Sequence, residues 1–156
     1  MVKIVPKGIR PSVVIVREGR VLVMKSRYAD GEYYVLPGGG IKGMESVKET
    51  ALREAKEETG YDIRIVKLLC IHEWIDKRRG KNSFNVIFLG EIVGGEETHL
   101  NDPDLAKGDI LGIEWKTLDE LRRVVFHPRG ILPLLEKGIE TGFSGGAVCL
   151  EPEVTG

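Results

Sequence analysis

The sequence predicts a single α/β domain with a mixed sheet, and three observations support this prediction. Runs rich in β-branched residues precede, separate and follow two or three helical segments. No internal repeat or low-complexity stretch divides the chain, and 156 residues suit one domain that buries roughly 70% of its unfolded surface. We place this domain at residues 1–137. Residues 138–156 are rich in glycine and contain no lysine or arginine, so we expect them to form a flexible tail.

The first part of the chain predicts three strands. Val13–Arg17 and Val21–Lys25 are rich in β-branched residues and are separated by Glu18-Gly19-Arg20, which is typical of a β-hairpin. Tyr33–Leu36 predicts a third strand. It ends at Pro37-Gly38-Gly39-Gly40, because neither a helix nor a strand ladder tolerates this run.

The clearest helix begins after Ser46. Ser46 and Glu49 have the spacing of a capping box, and Gly60 stands where a glycine commonly ends a helix. An apolar face at helical spacing is formed by Val47, Ala51, Leu52 and Ala55.

The rest of the chain predicts three strands and two helices. The strands are Ile63–Trp74 and Phe84–Val93, joined by the polar turn Asp76–Asn82, and then Ile110–Trp115. Thr117 and Glu120 form a second capping-box pattern that opens a short helix, and a final helix is expected over Pro128–Lys137.

Composition excludes several classes of protein. There are 23 Lys plus Arg against 24 Asp plus Glu, and 42% of residues are hydrophobic, which excludes a disordered or membrane-embedded chain. The balanced charge disfavours a nucleic-acid-binding protein held mainly by phosphate neutralisation. Cys70 and Cys149 suit a reducing compartment, and the N-terminus has no signal-peptide pattern, so we expect a cytoplasmic protein.

Three carboxylates crowd one side of the predicted helix. Glu54, Glu57 and Glu58 occupy positions i, i+3 and i+4, which are neighbours on a helix surface. A hard divalent cation such as Mg²⁺ would remove their mutual repulsion. Taken alone, the triplet is more typical of a solvated helix face, since Arg53 and Lys56 lie beside it.

The surrounding residues give this triplet a recognisable context. Gly39, Glu45, Arg53, the three glutamates and Gly60 fit the pattern G-x5-E-x7-R-E-U-x-E-E-x-G-U, in which U is an apolar residue. The segment 39–61 therefore resembles the Nudix box of the Nudix hydrolases. Ala55 and Tyr61 depart mildly from the larger aliphatic residues that the family prefers at these positions.

The resemblance implies an α/β/α sandwich that hydrolyses a nucleoside diphosphate linked to another moiety, at the pyrophosphate. It implies one to three Mg²⁺ ions, or Mn²⁺, held by Glu54, Glu57, Glu58 and the backbone carbonyl of Gly38. One carboxylate, which we take as Glu57, would act as the general base. The expected partner is a nucleotide-type small molecule, and the chain would be a monomer or a homodimer.

The resemblance also assigns the residues that hold the box together. Arg53 and Glu45 match the pair whose salt bridge ties the loop to the helix in the family, and Gly39 and Gly60 match its fixed glycines. Many relatives use a further acid from a later loop. Asp109 is the preferred candidate by position, with Glu96, Glu97 and Glu114 as competitors.

The substrate is less well defined by the sequence. No proline follows the box before Pro103, although ADP-ribose pyrophosphatases typically have one there. Aromatic residues able to stack on a base include Tyr34 and Phe84, and Arg27 is a candidate phosphate contact. These three are the predicted substrate-binding residues.

Two other functions remain open at this point. One is a non-hydrolytic nucleotide sensor on the same fold, which the intact box glutamates disfavour. The other is an enzyme that processes RNA 5′ ends, for which the basic run Lys77-Arg78-Arg79-Gly80-Lys81 would bind RNA. The same run is more typical of a solvated hairpin turn.

Two short motifs are better explained without function. Gly38–Gly43 fits the dinucleotide-binding pattern G-x-G-x-x-G, but a hairpin precedes it where the first βα turn should lie. Gly142–Gly146 fits G-x-S-x-G, but all three histidines precede it, against the Ser, acid, His order of α/β-hydrolases.

Overall fold

A computed structural model describes residues 8–28, 31–98 and 110–156. Strands and helices follow the order that the sequence predicts, with three short strands added in the C-terminal half. The strands are β1 (Ile9–Arg17), β2 (Arg20–Tyr28), β3 (Gly31–Val35), β4 (Tyr61–Asp76), β5 (Lys81–Gly95), β6 (Ile110–Thr117), β7 (Phe126–His127), β8 (Val148–Cys149) and β9 (Glu153–Thr155). The helices are α1 (Val47–Thr59), α2 (Leu118–Arg122) and α3 (Leu132–Thr141), and a 3₁₀ turn over Arg129–Ile131 precedes α3.

The strands form one mixed sheet. Its order is β7-β3-β2-β1-β5-β4-β8, with β6 beside β2 and β9 beside β4. β1 lies parallel to β5 and antiparallel to β2, which confirms the mixed arrangement. The predicted β1–β2 hairpin turns through Glu18 and Gly19, whose φ values of 52° and 72° are typical of a tight turn matched to strand twist.

Helices pack on both faces of the sheet. Val13 and Val14 are consecutive residues of β1, so their side chains point to opposite faces. Val13 packs in a cluster with Ala55 of α1, whereas Val14 packs with Leu121 of α2 and with α3. This confirms the α/β/α sandwich. No helix among residues 8–28, 31–98 and 110–156 is long and apolar enough to span a membrane.

Both ends of α1 form as the sequence predicts. The Ser46 Oγ accepts from the Glu49 backbone N–H at 3.1 Å, and the Glu49 carboxylate accepts from the Ser46 N–H at 2.8 Å. At the other end Gly60 adopts a φ of 80°, and its N–H donates to the Lys56 carbonyl. A Cβ at Gly60 would lie 2.9 Å from the Thr98 nitrogen, so glycine is required there for space as well. These contacts fix the direction in which α1 presents its acidic side.

Replacing Ser46 with alanine should destabilise the fold without abolishing activity. The substitution removes the side-chain cap, which is worth about 1 kcal/mol of unfolding free energy. Thermal unfolding should then shift down by about 3 °C for a domain of this size. Ser46→Asp is the matched control, because aspartate caps equally well. An unchanged melting temperature for Ser46→Ala would contradict this role.

The C-terminal part differs from the sequence prediction. The final helix spans Leu132–Thr141, four residues later than the predicted Pro128–Lys137. Pro133 stands in its first turn, where the missing N–H costs no helical hydrogen bond. Gly142, at φ 68°, ends the helix.

Residues 138–156, where the sequence predicts a flexible tail, contain the end of α3 and two short strands. β8 and β9 pair in parallel with β4, and the Leu150 N–H donates to the Ile71 carbonyl at 2.9 Å. The Phe143 ring packs against Gly138, where a Cβ would lie 2.8 Å from Phe143 Cζ. The glycine content of this segment therefore permits close packing.

Candidate active site

The glycine loop after β3 is held against β1. The Val13 N–H donates to the Pro37 carbonyl at 2.9 Å, and the Gly39 N–H donates to the Pro11 carbonyl at 3.2 Å. A Cβ at Gly38 would lie 2.8 Å from the Ser12 Cα, so only glycine allows this approach. The loop thereby lies over the acidic side of α1.

Glu58 connects α1 to this loop. Its Oε2 accepts from the Gly38 N–H at 3.2 Å. Burial raises the pKa of Glu58 to about 8; the charge of Arg10 opposes the rise, and the nearby Glu54 carboxylate adds to it. Glu54 and Glu58 lie one helical turn apart on the same side of α1, and both are half-buried. A proton or a cation between such carboxylates relieves their repulsion.

Arg10 is a site residue that sequence reasoning missed. Its NH2 group donates to the Leu36 carbonyl at 2.9 Å and to the Gly38 carbonyl at 3.2 Å. Burial lowers the pKa of this guanidinium, and the charges of Glu58 and Glu54 oppose that shift. The sequence shows only an arginine ahead of a β-branched run, which does not indicate partners 26 and 28 residues away.

Arg53 organises the other carboxylates. Its Nε donates to Glu45 Oε1 at 2.7 Å, so the salt bridge implied by the resemblance is present. Its NH1 donates to Glu54 Oε1 at 2.9 Å and to Glu57 Oε2 at 3.3 Å, and its NH2 donates to the Gly40 carbonyl at 3.2 Å. The hydrogen bond from Arg53 lowers the pKa of Glu45 and raises that of Arg53 itself. Arg53 therefore ties the loop to the helix and fixes the direction of Glu54.

The three predicted metal ligands differ in their contacts and exposure. No group of three or more His, Cys, Asp or Glu side chains is arranged to hold a metal ion in the described part of the chain. One nitrogen of Arg53, NH1, hydrogen-bonds both Glu54 and Glu57. The Glu57 side chain is 49% exposed, whereas Glu54 is 14% exposed.

Two of the three carboxylates nevertheless suit a hard cation. Glu54 and Glu58 present paired oxygens next to the Gly38 loop, and oxygen ligands are those that Mg²⁺ prefers. The Glu54 carboxylate also lies where a side chain at Gly39 would begin, 2.8 Å from the position of its Cβ. The donor set therefore fits a divalent cation at this pair, with Glu57 one helical turn from Glu54 on the exposed side.

The acidic residues after the box that were candidates for a further catalytic role lie in different places. Asp109 lies outside the described residues. Glu97 Oε1 accepts from the Trp115 indole N–H at 2.8 Å and from the Tyr61 hydroxyl at 3.4 Å, so Glu97 links β6 to the start of β4. Burial, together with a hydrogen bond to Glu114, raises the pKa of the Tyr34 phenol to about 12.

The three residues predicted to contact substrate lie on three different strands. Tyr34 is only 7% exposed, and the Lys116 ammonium lies 4.7 Å from the centre of its ring. Phe84 is 38% exposed and pairs with Ile9, and Arg27 is exposed opposite Glu32. Within the part of the chain that the structure describes, neither Phe84 nor Arg27 forms a hydrogen bond or an ion pair with the carboxylates of α1.

The chain is similar to known proteins over most of its length. Residues 7–135 match a family model described as NUDIX domain. An ADP-ribose pyrophosphatase of Methanocaldococcus jannaschii is 29% identical over 84 residues, which cover 53% of this chain and 50% of that protein. Across the curated relatives, the match spans between 27% and 53% of their length.

Solved structures share the fold. The crystal structure of a MutT NUDIX hydrolase from Burkholderia pseudomallei has a TM-score of 0.67 and 29% identity, and covers 83% of this chain and 95% of that chain. A NUDIX hydrolase from Nitrosomonas europaea has a TM-score of 0.68 at 21% identity, with 86% and 89% covered. At that identity the second likeness concerns the fold alone.

Proposed function

The chain belongs to the NUDIX domain family, and on this premise we propose that it hydrolyses the pyrophosphate bond of a nucleoside diphosphate linked to another moiety. The observation that carries the proposal is the half-buried Glu54–Glu58 pair beside Gly38. Two carboxylates held this way are stabilised by a cation, and a divalent cation is a component of pyrophosphate hydrolysis. The similarity to an ADP-ribose pyrophosphatase and to a MutT hydrolase supports the same reaction class.

The proposed cation is Mg²⁺, with Mn²⁺ as a substitute. Glu54, Glu58 and the Gly38 carbonyl would hold it, and Glu57 is the proposed third carboxylate. When bound, the cation neutralises the charge of the pyrophosphate and lowers the pKa of a coordinated water.

The protein groups have separate tasks in this proposal. Arg53 holds Glu54 in place through its 2.9 Å hydrogen bond, and its 3.3 Å contact with the half-exposed Glu57 is weaker. Glu57 is thus the carboxylate best able to accept a proton from the attacking water at its Oε atoms. Arg10 fixes the Leu36–Gly38 backbone, which sets the direction of the Gly38 carbonyl. Asp109 remains the proposed alternative base.

A substrate screen tests the proposal. The full chain is incubated with Mg²⁺ and a panel of dNTPs, nucleotide sugars, ADP-ribose and dinucleotides, and products are separated by ion-exchange chromatography. We expect cleavage at the pyrophosphate of at least one compound and its loss on addition of EDTA. Binding of a nucleotide without any product would indicate a non-hydrolytic sensor and would overturn the proposal.

A further inference from the structure

A recess lies at the tip of the β4–β5 hairpin. It has a volume of about 430 Å³, and its lining includes Gly8 before β1, Trp74 and Ser83. It shares no lining residue with the acidic side of α1 or with the glycine loop. A recess of this volume is large enough for one nucleotide.

The recess contains an aromatic ring held in a fixed orientation. The ring is that of Trp74, which is 44% exposed. Trp74 is one of only two tryptophans in the sequence. Its indole N–H donates to Thr155 Oγ1 at 3.0 Å, and β9 pairs with β4 at this point. The edge of the indole is therefore held by the C-terminal strand. A ring that is fixed and exposed can stack on a planar ligand with little loss of side-chain entropy.

Two cationic side chains line the same recess as this ring. Arg79 and Lys81 line the recess, and the turn that carries them also contains Lys77 and Arg78. Asp76 is the one acidic residue of the lining. Its Oδ1 accepts from the backbone N–H groups of Arg78 and Arg79 at 3.0 and 3.1 Å, so this carboxylate shapes the turn.

The Arg79 side chain still reaches solvent. It is 77% exposed, and its Nε lies 3.7 Å from Asp76 Oδ2, a distance typical of a loose surface ion pair. The Asn82 side chain is held in place by a 2.8 Å hydrogen bond to Glu73. The recess therefore combines a fixed aromatic ring, two cationic side chains and polar groups between them.

We propose that this recess binds a nucleoside phosphate unit, with the base stacked on Trp74 and the phosphate on Arg79 and Lys81. Cationic side chains beside an exposed aromatic ring are the combination that binds single nucleotides and single strands without reading their sequence. An acidic peptide would need the cations but not the ring. The unit can come from a free nucleotide or from a single-stranded nucleic acid, which share this chemistry.

Tryptophan fluorescence tests the proposal independently of catalysis. The full chain is titrated, in EDTA, with AMP, with 5′-phosphorylated hexaadenylate and with inorganic phosphate. None of these ligands carries a pyrophosphate bond, so the result does not depend on hydrolysis. Trp74→Phe identifies the signal of Trp74 against the background of Trp115.

We expect AMP, the strand or both to quench Trp74, and inorganic phosphate to leave it unchanged. Affinity for the strand at least tenfold above that for AMP identifies a single-strand site, and equal affinity identifies a free-nucleotide site. A tenfold rise in salt should weaken strand binding roughly 25-fold if two phosphates are contacted.

Charge variants decide whether the cations contribute. Arg79→Ala/Lys81→Ala should weaken binding at least fivefold, while Lys137→Ala, an exposed lysine of α3, should bind as the wild type. Absence of Trp74 quenching by both nucleotide ligands would overturn the proposal. So would equal binding of inorganic phosphate, or binding that the double variant leaves unchanged.

Discussion

Glu58→Gln and Glu57→Gln should each lower kcat for pyrophosphate hydrolysis at least about 100-fold, which corresponds to about 2.7 kcal/mol of transition-state stabilisation. Both substitutions remove a carboxylate charge that would face the cation or accept the water proton. Glutamine has the same shape, and its amide oxygen can still accept from the Gly38 N–H at position 58. The melting temperature should therefore change little.

Steady-state kinetics on the substrate found by the screen, with thermal unfolding in parallel, checks this expectation. Glu140→Gln removes an exposed glutamate of α3 and is the matched control, with wild-type activity expected. If the Glu58 variant kept full activity, or lost activity only because it unfolded, the assignment of the site would be contradicted.

Gly39→Ala should have the second largest effect. The new methyl group would lie 2.8 Å from Glu54 Oε2, which is closer than packed atoms allow. Because a carboxylate at the end of a flexible side chain can move aside, the free energy of unfolding should change by less than about 1 kcal/mol. A displacement of about 1 Å at a catalytic group can cost about 100-fold in rate, so kcat should fall by 10- to 100-fold.

The neighbouring glycine provides the control for this prediction. A Cβ at Gly40 has no atom within 4 Å, and the Gly40 carbonyl that accepts from Arg53 is retained in Gly40→Ala. Gly40→Ala should therefore keep wild-type kcat and stability. Equal rates in the two alanine variants would show that the position of Glu54 does not limit the reaction.

Local signals predicted the helix that carries the site. The capping box at Ser46 and the glycine at position 60 are short-range devices, so the sequence alone indicates where α1 begins and ends. The same helix then predicts that Glu54, Glu57 and Glu58 share one side. The salt bridge between Arg53 and Glu45 followed only from the family resemblance, and the structure has it.

Long-range contacts could not be predicted in the same way. Arg10 reaches the carbonyls of Leu36 and Gly38 only because β1 lies beside the glycine loop. Alternation along β3 directs Tyr34 into the core, although a short strand alone does not show which of its faces is buried. β9 pairs with β4, and the hydrogen bond between Trp74 and Thr155 joins residues that are 81 positions apart.

The contacts of Glu57 are a further example of what the sequence does not predict. Helical spacing places it beside Glu54 and Glu58, yet spacing does not show that Arg53 NH1 hydrogen-bonds both Glu54 and Glu57. Arg53 thus contacts two of the three carboxylates through one nitrogen. The sequence therefore predicted the acidic side of α1, but it did not predict which hydrogen bonds the three carboxylates accept.

Binding of Mn²⁺, followed by electron paramagnetic resonance, tests most directly whether Glu54 and Glu58 hold a divalent cation. If these two residues form the cation site, Glu54→Gln/Glu58→Gln should bind Mn²⁺ at least about tenfold more weakly than the wild type. Glu140→Gln should bind Mn²⁺ as the wild type does. Equal Mn²⁺ affinity in the wild type and the double variant would show that the pair is not the cation site.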